Sequence, residues 1–329
     1  MTLTHRLVAL WLLLPLVTGS ALAQNADAAK TFPDRTVRII VPFPAGGPTD
    51  ILARMIAQRM SEDWGQPVVV ENRPGGDTVI AAQQVAKAAP DGYTLLAAMD
   101  TTLVMNLATK KSLPYDPYRD FAYITMASQN TSLLSVRAED GPKTVKELIA
   151  RAKASPGKLN YGAGIITTRL AGYLFAREAG IEVQLIPFKG SPDVVQGLLT
   201  GAVDFIVDGI ATALPLVQSG KVRALAKLNS RPLPALPDAQ PLAVAAGLPA
   251  LEDISSWTGL VAPAGTPRAI VEKIQREVAA MFADPAVFKK LENSGITAVS
   301  STPEEFEAFF RKEAMRWDSA FKESGIKLE

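Results

Sequence analysis

Val37-Arg38-Ile39-Ile40-Val41-Pro42-Phe43-Pro44-Ala45-Gly46-Gly47-Pro48-Thr49-Asp50-Ile51-Leu52 runs from a short β-type segment through a glycine loop into a helical pattern. Apart from Arg38, Val37 to Val41 is apolar and β-branched, as a buried strand requires. Beyond the loop, Ile51, Leu52, Met55, Ile56 and Met60 fall on one helical face. Gly46 and Gly47 let backbone amides approach a bound group closely, and a helix N-terminus adds partial positive charge beside them. The loop suits a carboxylate or phosphate. It is neither a G-x-G-x-x-G fingerprint nor a P-loop, since no Gly-Lys-Thr/Ser follows. Read without a ligand, it is a tight turn in which Asp50 serves the helix start. Asp50 and Arg54 are also i,i+4 partners, which gives Arg54 a structural ion pair.

The same alternation extends in both directions. Strands are expected at Val68 to Val70, Thr94 to Ala98, Leu133 to Val136, Leu159 to Tyr161, Val183 to Ile186, Val203 to Val207 and Ala224 to Leu228. Amphipathic helical runs lie between them, so the class is α/β with parallel sheets covered by helices. Thr144-x-x-Glu147 and Thr302-x-x-Glu305 are capping boxes, and Ser191-Pro192 and Thr266-Pro267 are cap-plus-proline starts. Ile270, Val271, Ile274, Val278 and Met281 form one core stripe, and Phe306, Phe309, Phe310, Trp317 and Phe321 another. Ser230 to Pro249, rich in Pro and Ala, reads as a connecting segment.

Composition removes whole classes of chemistry. There are no cysteines, and the single histidine is His5. His5 and Arg6 precede an apolar run from Leu7 to Val17, and Ala21-Leu22-Ala23 offers a small-residue cleavage site. Residues 1–23 are therefore read as a secretory signal, with the mature chain starting at Gln24. Without imidazole or thiol, Ser-His-Asp and Cys-His catalysis and zinc sites built on His or Cys are all excluded from that mature chain, and no cofactor is expected. Arg6 is one of 34 basic residues against 33 acidic ones, so the mature charge is balanced, without the basic excess of a nucleic-acid binder. An S-x-x-K match, Ser155 to Lys158, contains Gly157 and precedes a strand, so it is read as a helix-ending turn.

A second strand-to-helix loop, Tyr161-Gly162-Ala163-Gly164-Ile165-Ile166-Thr167-Thr168-Arg169, has the same character as the first. Two such loops, one per lobe, could face each other across a cleft.

The chain resembles the solute-binding receptors of tripartite tricarboxylate transporters, the Bug-type receptors. The resemblance rests on Ile40 to Gly47 with Asp50, Val70 to Gly75, Pro90 to Leu96, Leu113 to Pro117, Leu159 to Tyr161, Pro187 to Gly190, Gly220 to Ala226 and Trp257 to Pro267. It implies a type II-like periplasmic binding fold with two crossover segments. Lobe one is expected at 30–128 plus 256–329 and lobe two at 129–255. It further implies a monomer in the periplasm that takes up a small carboxylate and delivers it to membrane permease subunits. The ligand-binding set expected is Phe43, Ala45, Gly46, Gly47, Asp50, Asp77, Thr101, Thr102, Gly162, Ile165, Thr167, Thr168, Arg169, Lys189 and Asp208. Three departures concern the ligand's far end. The loop after Tyr161 is shorter than is usual, Arg169 stands where a His is common, and Asp77 occupies a turn usually built of small residues. Arg169 either neutralises a second carboxylate or is a solvated helix-start residue. Asp77 is read as the cap of the helix at Val79, with contact to a ligand amine as the alternative. Rival readings are a sensory module feeding a signalling partner, and an enzyme on the same fold restricted to Asp, Glu, Lys or Tyr chemistry.

Overall fold

The computed structural model describes residues 31–251 and 255–324; the export signal read at residues 1–23 lies outside them. The chain builds two mixed sheets, each flanked by helices. The first lobe begins with β1 (Val37–Val41), α1 (Pro48–Trp64), β2 (Val68–Asn72), α2 (Val79–Ala86) and β3 (Thr94–Met99). A π turn at Thr101–Met105 continues into α3 (Asn106–Thr109), and β4 (Phe121–Asn130) follows. The second lobe carries β5 (Ser132–Arg137), α4 (Val145–Ala154), β6 (Leu159–Ala163), α5 (Ile166–Ala179) and β7 (Val183–Pro187). It closes with α6 (Ser191–Thr200), β8 (Phe205–Gly209), α7 (Ile210–Gln218), β9 (Val222–Lys227) and α8 (Leu242–Ala246). The chain then returns to the first lobe as β10 (Ser256–Pro263), α9 (Arg268–Ala283), α10 (Pro285–Asn293), β11 (Ile296–Ala298) and α11 (Pro303–Ser324).

Strand order is β11-β4-β10-β3-β1-β2 in the six-stranded sheet and β7-β6-β8-β5-β9 in the five-stranded one. The expectation of parallel sheets holds only for β2-β1-β3 and β7-β6-β8. The strands that enter a sheet from the other lobe, β5 and β10, run antiparallel to both their neighbours. They arrive from the cleft side and not over a crossover helix, which is what makes the sheets mixed. Only Thr131 separates β4 from β5.

Local chemistry accounts for some of the helix starts. Thr144 accepts from the Glu147 N–H at 3.1 Å. Thr302 and Glu305 cap reciprocally, at 3.2 and 2.8 Å. Two expected caps are used otherwise. Ser191 sits one position inside α6, behind Gly190, and Thr266 Oγ1 donates to the Pro263 carbonyl. The Ser230–Pro249 segment contains α8, whose Leu242 and Ala243 join the second lobe's core. Ser155 to Lys158 is a turn, with the Lys158 N–H returning to the Ser155 carbonyl.

Both core stripes are buried as their periodicity demands. In α11, Phe306 and Phe310 are fully buried, and the Phe306 ring meets Tyr123 at 5.1 Å and Trp257 at 5.6 Å, edge to face in both cases. The Phe306 ring occupies the space over Gly259 of β10, where a Cβ would lie 2.3 Å from it. Phe306→Ala should therefore destabilise the protein by about 3–5 kcal/mol. Urea unfolding measures this, and a loss under about 1 kcal/mol would show that the aromatic cluster does not anchor α11.

Candidate functional site

The β1–α1 loop is held by one buried carboxylate. Asp50, 2% exposed, accepts from the Gly46 N–H and from Arg54 Nε, both at 2.9 Å, through Oδ2. Its Oδ1 accepts from Asn72 Nδ2 at 2.9 Å, and that amide also donates to the Phe43 carbonyl at 3.0 Å. Burial alone would raise the Asp50 pKa, yet the hydrogen bonds from Arg54, Gly46 and Asn72 together hold it below the ordinary carboxylate value. Gly46 adopts φ +87°, the left-handed conformation that this tight turn needs. Gly47 does not: at φ −81°, ψ 167° it is extended.

The loop forms one wall of a narrow chamber between the lobes, with a cavity volume of about 40 Å³. Phe43, Pro44, Gly47, Pro48 and Thr49 line it from the first lobe, and Ile165, Ser191, Asp208 and Gly209 from the second. Met99 at the end of β3, and Asn130, Ser132 and Ser256 on the two crossovers, complete the lining. Four helices begin at this chamber: α1 after Gly47, α5 after Ile165, α6 at Ser191 and α7 after Gly209. Each brings first-turn N–H groups and the positive end of a helix dipole. The lobes touch around it. A Cβ on Gly190 would lie 2.9 Å from the Pro44 ring, so only glycine permits this approach.

An outer chamber adjoins the inner one through Phe43 and Ile165. Its wall includes Gly75, Gly76, Asp77, Thr78, Thr101, Arg169 and Lys189. Arg169 is not the solvated helix-start residue of one reading. Its side chain is 14% exposed and reaches across the cleft to Asp77, Nη2 to Oδ1 at 3.1 Å. Asp77 does not cap α2: the cap position is Thr78, with no side-chain bond, and the Asp77 carboxylate is shared between Arg169 and Lys110.

Several expected residues stand off both walls. Ala45 is an exposed loop tip. Gly46 and Asp50 satisfy each other. Thr102, fully buried, accepts from the Met99 N–H. Gly162 is packed beneath Val203, Ile206 and Phe188. Thr168 turns back on its own helix start, accepting from the Ile165 N–H. Thr167 donates to Asp100, a contact between the lobes. Asp50, Thr102 and Thr168 share one cause: polar groups beside a loop are consumed in holding its shape. The crossover residues Asn130, Ser132 and Ser256 carried no local signal, and Ser191 showed only a helix-start pattern.

Two buried carboxyls flank the cleft. Burial raises Asp208 to about 6, against hydrogen bonds from Ser191 at 2.7 Å, Thr212 at 3.0 Å and the Gly209 N–H. Burial raises Asp100 to about 7, opposed by Thr167 and the Thr101 N–H and reinforced by the Glu313 carboxylate. Among the described residues, no group of three His, Cys, Asp or Glu is placed to hold a metal, and no helix is long and apolar enough to cross a membrane.

A family model described as the tripartite tricarboxylate transporter family receptor matches residues 52–326. Protein BugT of Bordetella pertussis is 33% identical over 92% of this chain and 93% of its own length. Two solved Rhodopseudomonas palustris proteins are similar throughout. One, solved with adipate, is 34% identical with TM-score 0.86, covering 90% of this chain and 99% of that one. The other, MatC with bound malate, is 33% identical with TM-score 0.81, covering 88% and 99%.

A carboxyl with a raised folded-state pKa binds its proton more tightly when folded than when unfolded. Its contribution to stability is therefore present in full below the unfolded value and is lost as pH rises through the folded one. For Asp100 that loss extends up to about 7. Asp100→Asn keeps an acceptor for Thr167 and removes the ionisation. Its melting temperature should gain on that of the wild type between about pH 5 and about pH 8. Parallel profiles for the two proteins would mean that Asp100 does not ionise in this range.

Proposed function

The chain belongs to the tripartite tricarboxylate transporter receptor family, and from that premise we propose that it captures a small organic acid by its carboxylate in the inner chamber. The observation that carries this reading is the convergence of four helix N-termini on one enclosed space between the lobes. An anion there meets helix-start N–H groups and aligned dipoles from both lobes at once, so it favours the closed arrangement. The ordered polar walls also suit bridging waters, which are energetically close to direct hydrogen bonds. The rest of the ligand extends past Phe43 and Ile165 into the outer chamber.

The protein in this reading is a monomeric periplasmic receptor that hands its ligand to membrane permease subunits and performs no chemistry. The signal read at 1–23, and a chain with no histidine beyond His5 and no cysteine, support it. The lobe limits 30–128 plus 256–329 and 129–255 are part of the same proposal. Of the fifteen residues expected to bind, Phe43, Gly47, Ile165 and Asp208 are assigned to the inner chamber and Asp77, Thr101, Arg169 and Lys189 to the outer one.

Gly47 provides the test. Its extended backbone accepts a β-branched residue, and a Cβ there meets nothing nearer than the Pro44 carbonyl at 3.9 Å. Gly47→Val should fold with an unliganded melting temperature within about 3 °C of wild type, while its added methyls fill the chamber wall. Titration with a panel of carboxylates should show affinity lost by about a hundredfold or more. Wild-type affinity in the folded variant would remove the inner chamber from the site.

A further inference from the structure

The Asp77 carboxylate stands in the cleft between a cation of each lobe. Arg169 on α5 approaches Oδ1 at 3.1 Å and Lys110, following α3, approaches Oδ2 at 3.0 Å. The backbone is bent to place it there. Asp77 and Thr78 have φ of 51° and 78°, in a region that residues with side chains seldom occupy, and they are the positive-φ non-glycine residues of the chain's described part. Two glycines, Gly75 and Gly76, lead into this turn, and the helix that follows receives no side-chain cap from it. Conformational strain without a cap bond, in a turn that lines the cleft, points to a role for the carboxylate at the ligand's end. The Asp77–Arg169 pair is largely withdrawn from water, with the Arg169 side chain 14% exposed and that of Asp77 26%, so its charges are weakly screened. The other cation on this wall, Lys189, is exposed.

We infer that Asp77 is a specificity residue: a built-in counter-carboxylate that occupies Arg169 and Lys110, so that the receptor favours acids whose far end is uncharged over dicarboxylates. This rests on the carboxylate reading of the inner chamber. A second carboxylate reaching Arg169 meets a like charge already seated there, and displacing it strands Asp77 half-buried without its partners. Such displacement costs more than the new contact returns, because an unpaired buried charge loses both solvent and counter-ion. An uncharged tail incurs no such cost.

Asp77→Asn tests this directly. Asn is the residue most tolerant of left-handed φ after glycine, so the turn keeps its shape while the charge goes. Wild type and variant are titrated with matched mono- and dicarboxylates of increasing chain length, and melting temperatures are compared without ligand. Wild type should prefer the monocarboxylate of the best-fitting pair. In Asp77→Asn the dicarboxylate should gain about tenfold or more and its partner change by less than about threefold. Adding Arg169→Gln to that variant should abolish the gain. An equal loss for both acids would overturn the inference in favour of a latch that merely closes the lobes, as would a wild type that prefers the dicarboxylate. Carboxylate binding with no change in selectivity sinks this inference alone. A wild type that binds no carboxylate in the panel removes the functional reading and this inference with it.

Discussion

The cleft depends on a single buried carboxylate that never faces it. Asp50 gathers the Gly46 amide, the Arg54 guanidinium and the Asn72 amide, and Asn72 in turn holds the Phe43 carbonyl. The loop between β1 and α1 thereby has one shape, with Phe43 and Pro44 turned toward the second lobe and the first amides of α1 open to the chamber. A charge this buried is tolerable because each oxygen is satisfied, and three of its contacts come from groups whose own hydrogen-bonding needs it meets. Without it the glycine pair would be a flexible turn, and an anion would have to order the loop before binding to it.

Sequence reading reached this architecture through its local parts. The strand–glycine loop–helix unit at Val37 to Met60, the capping boxes at Thr144 and Thr302, and the stripe Phe306, Phe310, Trp317 and Phe321 each follow from spacing, because period and cap chemistry act over a few residues. What was not legible is what distant segments do to one another. The reversed directions of β5 and β10 depend on where the chain changes lobes. The polar floor of Asn130, Ser132 and Ser256 exists only because both crossovers pass under the same space. Asp50 and Thr168 sit in the right loops, but their side chains turn inward to hold backbone amides, and a motif cannot tell a group that binds from a group that braces. For Arg169 the partner that decides its role, Asp77, lies 92 residues away in sequence and in the other lobe.

The contacts between lobes differ in character, and the packing of Ile166 and Leu170 into the first lobe's aromatic cluster is among them. Pro44 packs on Gly190 without any polar complement, Thr167 donates to Asp100 in a dry setting, and Asp77 meets Arg169 nearer to solvent. Salt screens the last more than the first two. Closure therefore combines shape contacts, a titratable contact and an ionic contact. In the proposed reading, a ligand seated among the four helix ends adds the electrostatic contact that both lobes share.

Thr131 alone joins β4 to β5, and its hydroxyl is engaged with Asn229, which follows β9. In the proposed reading each lobe carries half of the anion-binding surface, and the two halves are leashed at nearly zero contour length. A ligand held weakly by one half thus meets the other at a very high effective concentration, as in a bivalent binder with an ideal linker. Neither half has to be a good receptor by itself. Modest amide and dipole contacts on each side can combine into useful affinity, and release needs only a small rotation about that leash.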